Sequence, residues 1–165
     1  MIPHLIPGRA TWHITFGTYG TRLHGDERPT VDRKQNQRDK PFITSQPQLR
    51  QIQQHHMQSS EVLLNLPQRL AVQSNMQPIC QRGQWNLHVV AAASNHVHVL
   101  LDAEINVDPK DIRKWLKRWI GQSLDSQFDK PPATTWWAKG GSTKPVKDQT
   151  YFENVYRYIA KQRAT

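Results

Sequence analysis

The sequence predicts an α+β domain in which an antiparallel sheet is covered by helices. Three observations carry that reading. Two β-patterned segments, Trp85–Ala93 and His96–Leu101, are separated only by Ser94-Asn95, the spacing of an antiparallel hairpin. An earlier strand-like run, Thr11–Tyr19, stands apart from them. Two amphipathic helical segments follow the hairpin, after Asp108 and after Gln149. Strands mixed with helices in this order suit a sheet packed against helical layers.

Each element has its own warrant. Thr11-Trp12-His13-Ile14-Thr15-Phe16-Gly17-Thr18-Tyr19 alternates and is rich in β-branched and aromatic residues. The stretch from Gly20 to Pro47 is polar, charged and broken by Gly25, Pro29 and Pro41, so it reads as a long loop. One helix is expected within Gln48–Gln58, and another from Pro67 through Leu70, Val72 and Met76 toward Cys80, closed by Gly83. Asp108-Pro109-Lys110-Asp111 combines an N-cap acid with proline at the first helical position. Behind it, Ile112, Trp115, Leu116, Trp119 and Ile120 form an apolar stripe at helical spacing. Lys110, Arg113, Lys114, Lys117 and Arg118 fill the other face, with Asp111 the nearby acid. Trp136-Trp137-Ala138-Lys139-Gly140-Gly141 reads as a strand ending in a glycine turn, its tryptophans as core. The last helix spans Gln149 to Gln162 and buries Phe152, Val155, Tyr156 and Ile159. The whole, 1–165, is read as one domain with a polar insertion at about 20–58.

Bulk properties narrow the function. The formal charge of +9 favours a polyanionic partner, with nucleic acid the foremost candidate. The single cysteine, Cys80, excludes an intrachain disulfide and a multi-thiolate metal site. No apolar run is long enough for a membrane span or a signal peptide, so a cytoplasmic protein without a membrane partner is expected.

The chemistry concentrates in Asn95-His96-Val97-His98. Residues i and i+2 of a strand share a face, so His96 and His98 present two imidazoles together while Val97, Val99 and Leu101 face the core. On the last helix Tyr158 lies roughly 110° from the centre of the apolar stripe, and Gln162 falls on the same line one turn later. His88 is read as structural and His55-His56 as solvated.

Asn95-His96-Val97-His98 followed by Tyr158-Ile159-Ala160-Lys161-Gln162 resembles the single-tyrosine HUH transposases, of insertion-sequence 200/605 type and including the REP-associated tyrosine transposases. The resemblance runs from Trp12 to the C-terminal helix. It implies a ferredoxin-like antiparallel sheet with the HUH pair on a central strand, and a divalent cation, Mg²⁺ or Mn²⁺, held by His96, His98 and Gln162. It further implies Tyr158 as nucleophile, single-stranded or hairpin DNA as substrate, a 5′-phosphotyrosine intermediate, and a homodimer. The cationic face of Lys110, Arg113, Lys114, Lys117 and Arg118 is the expected site of DNA-backbone contact. Departures from the family pattern are Ser94 where proline is common, the long Gly20–Gln58 region, and a chain that ends three residues after Gln162, leaving little to brace the helix. Rival readings are a domesticated, non-catalytic DNA-binding protein of the same fold and a small metal-dependent hydrolase. The hydrolase would want more acids near the pair than Asp102, the nearest downstream.

Overall fold

The computed structural model describes residues 1–21 and 61–165. The expected helix within Gln48–Gln58, His55-His56 and nearly all of the polar insertion lie outside the described residues. The elements are β1 (Arg9–Gly17), α1 (Leu66–Gly83), β2 (Asn86–Ala92), β3 (His96–Glu104), α2 (Pro109–Gln127), β4 (Ser142–Val146) and α3 (Gln149–Lys161). The strands form one sheet in the order β2-β3-β1-β4, antiparallel throughout, which places the His-bearing strand β3 in its interior.

Strand parity separates two cores. Ile14 and Phe16 of β1 and Val97, Val99 and Leu101 of β3 face α1 and α2, meeting Val72 and Met76 from the first helix and Ile112, Leu116 and Ile120 from the second. On the other face Val89, Ala91 and Leu100 pack against Phe152, Val155 and Ile159 of α3. Fully burying side chains of this size contributes about 1.5–3 kcal/mol each. Cys80 belongs to the first core, where burial pushes its thiol up to about 12, so it is an inert packing group.

The helix starts follow from local chemistry. Asn65 caps α1 through the Gln68 N–H while the Gln68 side chain accepts from the Asn65 N–H, a reciprocal capping box. Asp108 accepts from Lys110 N–H at the start of α2, and Asp148 from Tyr151 N–H at the start of α3.

Three expectations need correction. Trp136–Gly141 is not a strand; it makes a single bridge, Trp137 to Thr18, and β4 begins only at Ser142. The tryptophans leave strand geometry because their indole N–H groups bond across to α2, Trp136 to Asp125 Oδ1 and Trp137 to the Lys117 carbonyl, both at 2.9 Å. The true strand contains Pro145, which an edge strand tolerates because one side of its backbone needs no partner. Trp115 is not in the core: it is 37% exposed, its ring tilted against that of Trp119 and covered by the Arg118 guanidinium. The chain end does brace α3, since Gln73 exchanges hydrogen bonds with both the N–H and the carbonyl of Ala164, and Arg163 donates to the Val90 carbonyl.

A polar cluster closes one end of the sheet. Asp102 is completely buried and accepts from Arg9, from Asn86 Nδ2 at 3.1 Å and from His88 Nε2 at 3.1 Å. A bulge between Leu87 and Val89 frees His88 to turn toward Asp102 and to set its ring edge-on to Phe152. His88 is therefore structural, as the sequence suggested.

Removing the carboxylate strands three donors, so Asp102→Ala is expected to destabilise the fold by about 3 kcal/mol, measured by denaturant unfolding. Burial holds the His88 pKa below its ordinary 6.5, outweighing the opposing pull of Asp102. The unfolded chain therefore binds the extra proton first. Stability contributed by neutral His88 is complete above pH 6.5 and is lost as pH falls through the window beneath it. His88→Gln should flatten the stability–pH curve in that window by up to about 1.4 kcal/mol per pH unit; an unchanged slope contradicts this assignment.

Candidate active site

The His pair sits where the second face of the sheet runs out of apolar cover. Beyond Leu100 on the same face of β3 come His98 and His96, their ring centroids 4.8 Å apart and nearly perpendicular. His96 Nδ1 lies 2.7 Å from Asn95 Oδ1. An amide oxygen only accepts, so Nδ1 carries the ring proton and Nε2 the lone pair of His96. That is the tautomer a metal-binding imidazole needs.

Tyr158 comes to this pair from α3 of the same chain. Its ring lies edge-on to His98 at 5.4 Å between centroids, and the residue is 53% exposed. Tyr156, one step round the helix, is half-buried against Phe152, which leaves Tyr158 as the phenol facing the pair. Gln162 follows one turn later as the C-cap of α3, with its Nε2 donating to the Tyr158 carbonyl at 3.3 Å. The amide oxygen is then the end of that side chain suited to ligation.

Sequence reasoning missed His13 and Thr15. Both project from β1 onto the same face, and Thr15 is the register partner of His98. His13 Nε2 lies 3.1 Å from His98 Nδ1, and Thr15 Oγ1 lies 3.0 Å from the same atom. Burial, with the nearby Lys144 ammonium, holds the His13 pKa below its ordinary value, which favours the neutral ring. The alternation of His13 and Thr15 was visible in the sequence; their pairing with β3 was not.

A cleft of about 1020 Å³ opens beside these groups. His13, His98, Tyr158, Tyr151, Lys139 and Lys144 are among the residues that line it. Gly141 makes the cleft wall possible: at φ 139° any Cβ would stand 2.4 Å from the Thr15 carbonyl oxygen.

The expected cationic surface lies elsewhere. Helix α2 packs on the opposite face of the sheet from His98 and Tyr158, so the structure does not bring its cations to the His pair. Lys117 is committed to the fold, donating to the Ala138 and Gly140 carbonyls at 2.6 and 3.0 Å, and burial lowers its pKa. Arg118 covers Trp115. Lys110 and Lys114 are exposed, and Arg113 reaches round to Gly141.

Among the described residues no group of three His, Cys, Asp or Glu side chains forms a metal cage. Two imidazoles are nevertheless donors of the kind a divalent cation takes, and the Nδ1–H of His96 suits that role; Gln162, the remaining expected donor, bonds through its Nε2 to the Tyr158 carbonyl of its own helix. Among the described residues no helix is long and apolar enough to cross a membrane.

Comparison with known proteins bears on the family and the fold. No curated protein matches the sequence. Among solved structures the chain is similar to a candidate transposase from Deinococcus radiodurans R1, with a TM-score of 0.50 and 16% identity, covering 95% of this chain and 93% of that one. At this identity the likeness speaks to the fold alone. The family described as "Transposase IS200 like" matches residues 53–162, a span that includes β3, the His pair, Tyr158 and Gln162, and the chain belongs to that family.

Proposed function

We propose that the protein cleaves and rejoins single-stranded or hairpin DNA in the cytoplasm through a 5′-phosphotyrosine intermediate, with Tyr158 as nucleophile. The observation that carries this reading is the contact of the Tyr158 ring with His98, the inner member of the His pair. A tyrosine hydroxyl is a weak nucleophile near neutral pH, so its position has to do much of the work. Here it is fixed on a helix anchored at both ends. Tyr158 Oη forms a bond to the scissile phosphorus and gives up its proton. The P–O3′ bond breaks, and the departing oxygen takes a proton to become a free 3′-hydroxyl. Attack of that hydroxyl on the phosphotyrosine reverses the step, so strand transfer consumes no external energy.

His96, His98 and Gln162 would hold the divalent cation. When bound, Mg²⁺ or Mn²⁺ supplies charge neutralisation at the phosphate. The nitrogen donors of the site favour Mn²⁺ over Mg²⁺. The chain supplies both the His pair and the tyrosine, so a second copy is not needed to complete this site. Lys139 and Lys144 on the cleft wall are the backbone contacts closest to the chemistry in this reading, with the cations of α2 acting on DNA that passes behind the sheet.

Incubation with labelled hairpin DNA and Mn²⁺ should give a covalent adduct on a denaturing gel, and Tyr158→Phe should abolish it while Tyr156→Phe does not. DNA binding with no adduct from the unsubstituted protein would favour the non-catalytic reading. Mixing Tyr158→Phe with His96→Ala protein should not restore the adduct, because each chain uses its own tyrosine; restoration would show exchange between copies. In a salt titration of single-strand binding, the double variant Lys139→Ala/Lys144→Ala should lose roughly 0.7 in slope per lost contact. A larger loss for Lys110→Ala/Lys114→Ala would move the substrate path to α2.

A further inference from the structure

We infer that His13 and Thr15 are positioning residues for the His pair, holding His98 in the tautomer and orientation that leaves its Nε2 to bind the cation. The inference rests on the proposed cation site. The acceptor of the Asn95 side chain already fixes the His96 proton on Nδ1. For both imidazoles of one strand face to offer the same nitrogen, His98 must likewise carry its proton on Nδ1. That proton needs an acceptor in a place that is 7% exposed.

Strand β1 brings two. Thr15 stands directly opposite His98 in the register, and its Oγ1 is 3.0 Å from Nδ1. His13 is the diagonal neighbour, opposite Leu100, with Nε2 at 3.1 Å from the same nitrogen. The two acceptors are themselves 3.4 Å apart, so both converge on one ring atom. The His13 and His98 ring centroids are 5.2 Å apart with the ring planes tilted by 32°. Outer partners of this kind set ligand orientation and raise ligand basicity, and their loss typically costs about 10–100-fold in metal affinity. Neither residue needs to touch substrate or cation to act this way.

The experiment measures Mn²⁺ binding to the DNA-free protein by calorimetry. His13→Phe/Thr15→Val removes both acceptors while keeping a ring and a β-branched strand residue, and should weaken Mn²⁺ by roughly 10–100-fold. His13→Gln returns an accepting oxygen and, with Thr15→Val, should recover most of that loss. His96→Ala is the control for the site itself. Unweakened binding in His96→Ala overturns the cation site and this inference with it. Loss in His96→Ala with wild-type affinity in His13→Phe/Thr15→Val overturns this inference alone. Nitrogen-15 imidazole spectra of the unsubstituted, metal-free protein give a second measurement that needs no variant to fold. His96 and His98 should both show protonated Nδ1, and an Nε2–H form of His98 would overturn the assignment.

Discussion

The pairing of β1 with β3 is the constraint on which the rest of the structure depends. Nine consecutive register pairs run from Arg9 opposite Glu104 to Gly17 opposite His96. A slip of one residue would exchange the faces, sending the His pair into the core beneath α1 and α2 and turning Val97 and Val99 outward. Burying two imidazoles among leucines while exposing two valines is unfavourable on both counts. The hydrophobic pattern thus fixes the register, and the register brings Thr15 and His13 against His98.

Strand β3 also divides its polar burdens. Along one face lie His96 and His98, then Leu100, then Asp102. Helix α3 covers the middle of this face with Phe152, Val155 and Ile159. At the far end, Asp102 is closed over by Arg9, Asn86 and His88, so a buried charge is fully partnered. At the near end the apolar cover gives way to the cleft, where polar side chains meet solvent. One face thus carries a structural polar site and a candidate catalytic one, separated by a single apolar layer.

Much of this was legible locally. The Asp108-Pro109 start, the Gln149 helix and the His-bearing strand each declare themselves within a dozen residues, because capping and periodicity are local rules. The errors arose where tertiary bonds overrule such rules. Trp136 and Trp137 look like strand residues until their indole N–H groups find acceptors on α2. Trp115 fits the apolar stripe by spacing but reaches past the edge of the core. The cations of α2 were evident as a face, yet which side of the sheet that face occupies is set by the parity of other strands. His13 escaped notice for the same reason, since its importance exists only through a strand some eighty residues away.

The anchoring of α3 bears on how the tyrosine is used. At its N-terminal end Gln149 accepts from Leu5 N–H and donates to the Pro3 carbonyl, tying the helix to the segment that leads into β1. Just past its C-terminal end Arg163 and Ala164 bond to β2 and α1. Between these ties Val155 and Ile159 are buried under the sheet, and Tyr158 projects from the margin they leave. Carrying Tyr158 to another chain's His pair would require these bonds to open and to re-form on the partner. Keeping it over its own His98 costs nothing further and presents the phenol from a rigid support. The same ties that complete the second core therefore hold Tyr158 beside the His98 of its own chain.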